Sequence, residues 1–411
     1  MWNKRVYLDF ASATPMLPRA ARAMARAASR FPGNPSASHA EGRAAFNEIF
    51  RARAAIARSL AVKPDELTFT SGGTESNNLA IRGFIEALRR RGFSYADLHV
   101  ISTTIEHSSV TKALRLLEAE GVSVSWVAPG ADGIVDVQAI LRFLKPNTVL
   151  VTLAHVNSEI GVIEPIAAIA DKMKKAPYER DPALTVAVPE VSFPVVHADA
   201  AQSPLYLDAG PHALHADMVS YDAQKIMGPK GVGVLYRDFS VPLEPITGGG
   251  SQERGLRSGT ENTAAIVGAG IAFEYARAER QAREKKITAL REALISRVLE
   301  AMPDALLMGS RAQRVANNAC FAIPGIDGDY LAVLMDKEGV AVTPRSACIG
   351  SGAGYSEVVY QLTKSKSLAK GTIRFSLGPT TTKKDIHRAV FALASLLKGN
   401  ALRPPVSPAI K

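Results

Sequence analysis

Met218-Val-Ser-Tyr-Asp-Ala-Gln-Lys225-Ile-Met-Gly-Pro-Lys230-Gly-Val-Gly-Val-Leu-Tyr236 reads as a short buried strand, a lysine at its end, a glycine turn and a second strand. An apolar setting around Lys225 would desolvate its amine and disfavour the charged form, freeing it as the nucleophile that a Schiff base requires. Taken alone, the same stretch also describes a surface lysine before a hairpin turn. The surrounding pattern decides between the two readings.

Strand and helix signals alternate on both sides of this lysine. Leu67 to Thr70 runs as a strand into Ser71-Gly-Gly-Thr-Glu-Ser76, where a helix begins. A strand, a glycine turn and a helix N-terminus converge free N–H groups and the helix dipole on one point, which makes an anion site. The turn lacks the Gly-Lys-Ser/Thr ending of a nucleotide-binding loop. Leu98 to Ser102 leads to Glu106 and His107, Thr148 to Val156 to Asn157, Val195 to Ala198 to Asp199, and Met218 to Ser220 to Lys225. Such alternation predicts an α/β fold with a mostly parallel sheet, and polar residues at strand carboxyl ends are where such a sheet holds its ligand.

The chain has 411 residues, 47% of them hydrophobic, enough for two domains and a large core. A large domain is expected over residues 14–262, interrupted by a surface insertion at about 175–194. Residues 1–13 would pack with 263–402 as a smaller α+β domain, linked by one long helical run from Asn262 to Met302. A loose tail is expected over 403–411. The net charge of +10 and pI of about 9.5 favour acidic partners or anionic substrates. No basic run interleaved with aromatics suggests a nucleic-acid groove. Two cysteines in so long a chain exclude a disulfide scaffold. No apolar run reaches the ~20 residues of a membrane span, and no signal segment is visible, so a cytoplasmic protein is expected.

A lysine able to form a Schiff base, an aspartate, an imidazole, an anion-binding turn, a thiol and a late arginine together describe a site for pyridoxal phosphate acting on an amino acid. Eight segments carry a resemblance. They are Thr70-Ser-Gly-Gly-Thr-Glu-Ser-Asn-Asn78, Glu106-His107, His155-Val-Asn-Ser-Glu-Ile-Gly161, His197-Ala-Asp-Ala-Ala-Gln202, Lys225-Ile-Met-Gly-Pro-Lys-Gly231, Arg257-Ser-Gly-Thr260, Ser346-Ala-Cys348 and Ile373-Arg-Phe-Ser-Leu-Gly378. In these segments and in their order the chain resembles the cysteine desulfurases, in the class V aminotransferase group of pyridoxal-phosphate enzymes with fold-type-I architecture.

The resemblance implies a role for each matching residue. Lys225 would hold the cofactor and move the substrate α-proton. Asp199 would pair with the pyridine nitrogen, Gln202 with the phenolic oxygen, and His107 would stack on the ring and assist proton transfer. Gly73 and Thr74 would hold the phosphate, with Thr260 reaching it from the other subunit of a homodimer; Gln224, which departs from the family's pattern, could still donate a hydrogen bond to it. Asn157 and Arg374 would bind the carboxylate of L-cysteine. Cys348 would take the substrate sulfur as a persulfide, release alanine and pass sulfur to an acceptor, an iron-sulfur scaffold or a tRNA-thiolation enzyme.

The residues support the thiol's role independently. Cys348 follows Thr343-Pro-Arg-Ser-Ala and precedes Ile-Gly-Ser-Gly-Ala-Gly354, a composition suited to a moving loop. Arg345 nearby is expected to favour the thiolate. Cys320 lies in a strand pattern and reads as a small core residue. His39 and His155 read as structural.

The chain departs from the family's pattern beside the lysine. Asp222-Ala-Gln224 stands where Ser-x-His is usual, and a carboxylate aimed at the phosphate would repel it unless Asp222 turned away. Phe10 replaces an asparagine, and Arg345 a glycine. Two alternatives stay open: a related lyase or aminotransferase, such as a selenocysteine lyase, and a non-catalytic interaction protein with a degenerate cofactor site.

Overall fold

The computed structural model describes residues 5–345 and 354–398. Cys348 and the 403–411 tail, both singled out above, lie outside the described residues.

The strands expected around the lysine form one seven-stranded sheet. Its spatial order is Leu67–Thr70, Gly233–Arg237, Met218–Asp222, Val195–Asp199, Thr148–Ala154, His99–Thr103 and Ser123–Val127. All neighbours pair in parallel except Gly233–Arg237, which runs antiparallel to both of its partners. The central strands are buried at every position, as expected where helices cover both faces of a parallel sheet. Their polar residues are therefore paired across strands. His197 bridges Thr152 and Ser220, and His99 bridges Thr148 and Ser125, at 2.8–3.0 Å.

A three-stranded antiparallel sheet, in the order Thr372–Ser376, Asn318–Ala322 and Leu306–Leu307, lies to one side. The N-terminal Val6–Tyr7 strand pairs in parallel with Val340–Ala341, and Asp9 bridges to Ser376. These pairings bring the chain's beginning to Arg374, a contact on which the site depends.

One expectation needs correction. The run from Asn262 to Met302 is two helices, Thr263–Arg277 and Arg280–Ala301, broken at Ala278 and Glu279, where Glu279 adopts a φ of 56°. Buried Arg283 holds the break, donating to the carbonyls of Tyr275, Ala276, Ala278 and Leu205 at 2.7–3.1 Å. The 175–194 segment, mostly exposed, is anchored by a few apolar side chains. It contains a Pro182–Ala187 helix, and Leu184, Val188, Val191 and Phe193 are buried in an apolar cluster with Phe84, Leu88 and Val195. Hydrophobic burial fixes these four side chains to the domain.

Candidate active site

Five loops leaving the carboxyl ends of sheet strands line one pocket. They carry Gly73 and Thr74, His107, Asn157, Asp199 with Gln202, and Gln224 with Lys225; Arg374, Ala11 and Ser12 close it from the side. The reversed strand comes close because Gly233 has no side chain: a Cβ there would meet the backbone carbon of Gly72 at 2.5 Å.

Lys225 ends in a short turn, Ala223–Ile226, capped by Asp222. Its setting is polar rather than apolar. The half-buried Nζ donates to the carbonyls of Ala11 at 2.8 Å and Ser12 at 2.5 Å. Gln202 Nε2 donates to the same Ala11 carbonyl at 2.9 Å. The 11–12 segment is thus the floor against which the lysine rests, and the strand-end pattern gave no sign of it.

Asp199 is buried and held rigidly. Its Oδ1 accepts from the Ala201 N–H at 3.0 Å and its Oδ2 from Asn77 Nδ2 at 2.8 Å. Asn77 Nδ2 also donates to Ser109 Oγ at 2.8 Å, and that hydroxyl reaches His107 Nδ1 at 2.8 Å. Because the Ser109 N–H also donates to Nδ1, the neutral imidazole carries its proton on Nε2. One amide therefore couples the aspartate to the imidazole.

Arg374 is almost fully buried. Its Nη2 donates to Asp9 Oδ1 at 3.0 Å and to Ser12 Oγ at 2.7 Å, while Nη1 donates to the Ser158 carbonyl at 2.8 Å. Asp9 fixes the guanidinium in place, and its Nε is buried without a protein acceptor. Asn157 lines the pocket, but its amide also serves the loop: Oδ1 accepts from Glu159 and Ile160, and Nδ2 donates to the Ile105 carbonyl. Thr74 lines the pocket and is exposed, whereas Thr260 is exposed and outside this chain's pocket lining.

Asp222 does not turn away. Its Oδ2 accepts from the Gly73 N–H at 3.3 Å and from Gln224 Nε2 at 3.0 Å, so the Gln224 amide is turned onto the aspartate. Arg345 pairs with Asp329, which offsets the charge expected to act on Cys348. His39 caps the Ala40–Leu60 helix, His155 is buried just beyond its strand, and Cys320 is buried with burial pushing its thiol well up.

Glu106 and Glu164 are buried carboxyls outside the pocket lining. Burial pushes Glu106 up to about 8 and Glu164 up to about 7, from an ordinary value of 4.5. Glu106 accepts from Thr103 Oγ1 at 2.6 Å. The folded chain binds the Glu106 proton more tightly than the unfolded chain does. That stability is complete below pH 4.5 and lost as pH rises to about 8, at about 1.4 kcal/mol per pH unit. The buried histidines act oppositely. His155 is pushed down to about 4, so its contribution is present above about 6.5 and lost as pH falls. Thermal unfolding of Glu106→Gln should therefore flatten the loss of Tm between about pH 6.5, above which the histidine contribution is constant, and about pH 8. Parallel curves for the two proteins would contradict this.

The chain matches the family Aminotransferase class-V over residues 6–389. It is 36% identical over 396 residues to a cysteine desulfurase IscS from Dictyoglomus turgidum, covering 96% of this chain and 95% of that one. It is 37% identical to the cysteine desulfurase IscS of Psychromonas ingrahamii, over 94% of this chain and 91% of that one. Among solved structures, a NifS-like protein superposes with a TM-score of 0.84 at 29% identity, covering 96% of this chain and 100% of the other. A structure of SspA in complex with cysteine superposes with a TM-score of 0.74 at 31% identity, over 92% and 99% of the two chains. The chain belongs to the class-V aminotransferase family, among its cysteine desulfurases.

Proposed function

We propose that this chain takes sulfur from L-cysteine with pyridoxal 5'-phosphate as cofactor, leaving L-alanine and a persulfide on Cys348. The observation that carries the proposal is the convergence of Lys225, Asp199, His107 and Arg374 on one pocket. Family membership and the cysteine bound to the SspA relative support it.

The residues present suit the cofactor's ring: a fixed carboxylate, an amide, an imidazole and a lysine amine face one cavity. Asp199 would meet the pyridine nitrogen, Gln202 the phenolic oxygen and His107 the ring face. Gly73 and Thr74 would face the phosphate, together with the partner's copy of the Thr260 loop in a homodimer. When bound, the cofactor supplies an electron sink for negative charge at the substrate Cα. Arg374 and Asn157 would orient the substrate carboxylate, and Lys225 Nζ would take and return the Cα proton.

The sulfur step balances without an external oxidant. The substrate Cβ–S bond breaks, an S–S bond forms to the Cys348 thiolate, and Cβ gains a proton to become the methyl group of alanine. The acceptor would be an iron-sulfur scaffold or a tRNA-thiolating enzyme in the cytoplasm. Among the described residues no helix is long and apolar enough to cross a membrane. We divide the chain into a large cofactor-binding domain over 14–262 and a smaller one combining 1–13 with 263–402.

The test uses the purified chain with added cofactor and L-cysteine. A visible absorption band followed by stoichiometric alanine is expected. Cys348→Ala should keep the band and lose alanine release to background. Alanine release that persists in Cys348→Ala would transfer the assignment to a lyase without a persulfide carrier. No band at all would favour a non-catalytic protein.

A further inference from the structure

The turn that opens the Gly73–Arg90 helix is the natural anion seat of this pocket, because its first N–H groups have no partner within the helix. One of those donors is already taken by a residue of the chain. Asp222 is 93% buried, and its Oδ2 accepts from the Gly73 N–H at 3.3 Å. A Cβ built on Gly73 would lie 3.4 Å from that same oxygen, so the carboxylate stands directly over the turn.

The carboxylate is held from its other side as well. Gln224 donates through its backbone N–H to Oδ1 at 3.1 Å and through Nε2 to Oδ2 at 3.0 Å. Asp222 thereby fixes the turn that presents Lys225, and it also engages the Gln224 amide, which lines the pocket and would otherwise be open to a phosphate. A second carboxylate stands in the first turn of the helix. Glu75 accepts from the Ser71 N–H at 2.6 Å and pairs with Arg257 at 3.1 Å, so this neighbouring cation is already engaged. A phosphate entering the seat must share the Gly73 donor with an anion and approach it in a low-dielectric pocket, where like charges repel strongly.

We propose that Asp222 is a selectivity residue that fills the anion seat of the pocket, lowering the advantage of a phosphorylated cofactor over its dephosphorylated form. The cofactor would be gripped chiefly at its ring, through Asp199, Gln202, His107 and Lys225. This inference rests on the cofactor assigned under Proposed function, and it concerns only the phosphate end.

Dissociation constants for pyridoxal 5'-phosphate and for pyridoxal, measured by absorption titration, test it in the wild type, Asp222→Asn and Asp222→Ser. The asparagine can keep the cap on the Gln224 N–H and turns the charged atom into an amide donor. The serine removes the charge and shortens the side chain. Both variants should raise the preference for the phosphorylated form about 10- to 1,000-fold, the range a single charge within about 4–6 Å produces. Pyridoxal affinity should stay at the wild-type value, which also reports that the ring site is folded. An unchanged preference in both variants, with the phosphorylated form still bound, overturns the role of Asp222 and leaves the cofactor assignment standing. Failure of all three proteins to bind either aldehyde overturns both.

Discussion

Lys225→Ala should lose alanine release from L-cysteine by at least about 10²–10⁴-fold, the share that positioned proton transfer alone contributes. The structure separates this loss from unfolding. Lys225 is half-buried, and its side chain opens onto the pocket instead of filling the core. Its Nζ hydrogen bonds end on the carbonyls of Ala11 and Ser12, which water entering the pocket can serve. The variant should therefore melt near the wild-type temperature while losing the absorption band that follows cofactor addition. Lys225→Arg would keep the positive charge against the carbonyls yet supply no amine of the required kind, so it should be as inactive as the alanine variant. Turnover retained in either variant would remove Lys225 from the chemistry. A large fall in Tm with activity lost in proportion would make it a structural residue tying the Ala11–Ser12 segment to the sheet.

Strand ends made half of the site legible. His107, Asn157, Asp199 and Lys225 each follow an apolar run, so their polarity stands out and the α/β pattern aims them at one edge of the sheet. Asn77 carries the link between Asp199 and His107, yet it sits within a helix, where a polar residue ordinarily signals a solvent face. Its burial depends on how that helix docks against the sheet, which no local pattern records. Ser12 and Asp9 were hidden for another reason. They reach Arg374 across more than 360 residues of sequence, through the pairing of the N-terminal strand with Val340–Ala341. The break at Ala278–Glu279 carries neither proline nor glycine, so periodicity ran through it. Only the buried Arg283, which collects four carbonyls, explains why the chain bends there. The direction taken by Asp222 was likewise open until the Gly73 N–H and Gln224 were seen on the carboxylate.

Gly378→Ala should destabilise the fold by about 1–3 kcal/mol or more, the usual cost of forcing an extra carbon into a packed interior. The reason is Phe10, the aromatic residue standing where an asparagine is usual. A Cβ on Gly378 would lie 2.0–2.2 Å from three carbons of the Phe10 ring, and the ring is 3% exposed with Tyr7 against its edge at 5.2 Å. A flexible side-chain tip could swing aside. A buried ring can only rotate or carry its backbone with it. That backbone continues directly into Ala11 and Ser12, the residues beneath Lys225 and beside Arg374. The clash should therefore reach the site as well as the core, lowering turnover in the molecules that remain folded. Removing the ring tests the account. Phe10→Ala alone should cost about 3–5 kcal/mol through the cavity it leaves. Gly378→Ala added to that variant should cost almost nothing, because its methyl enters the vacated space. In a double-mutant cycle the coupling should then be favourable and within about 0.5–3 kcal/mol. Additive losses would mean that the ring and the glycine are independent, and that Gly378 is required for its backbone instead of its missing side chain.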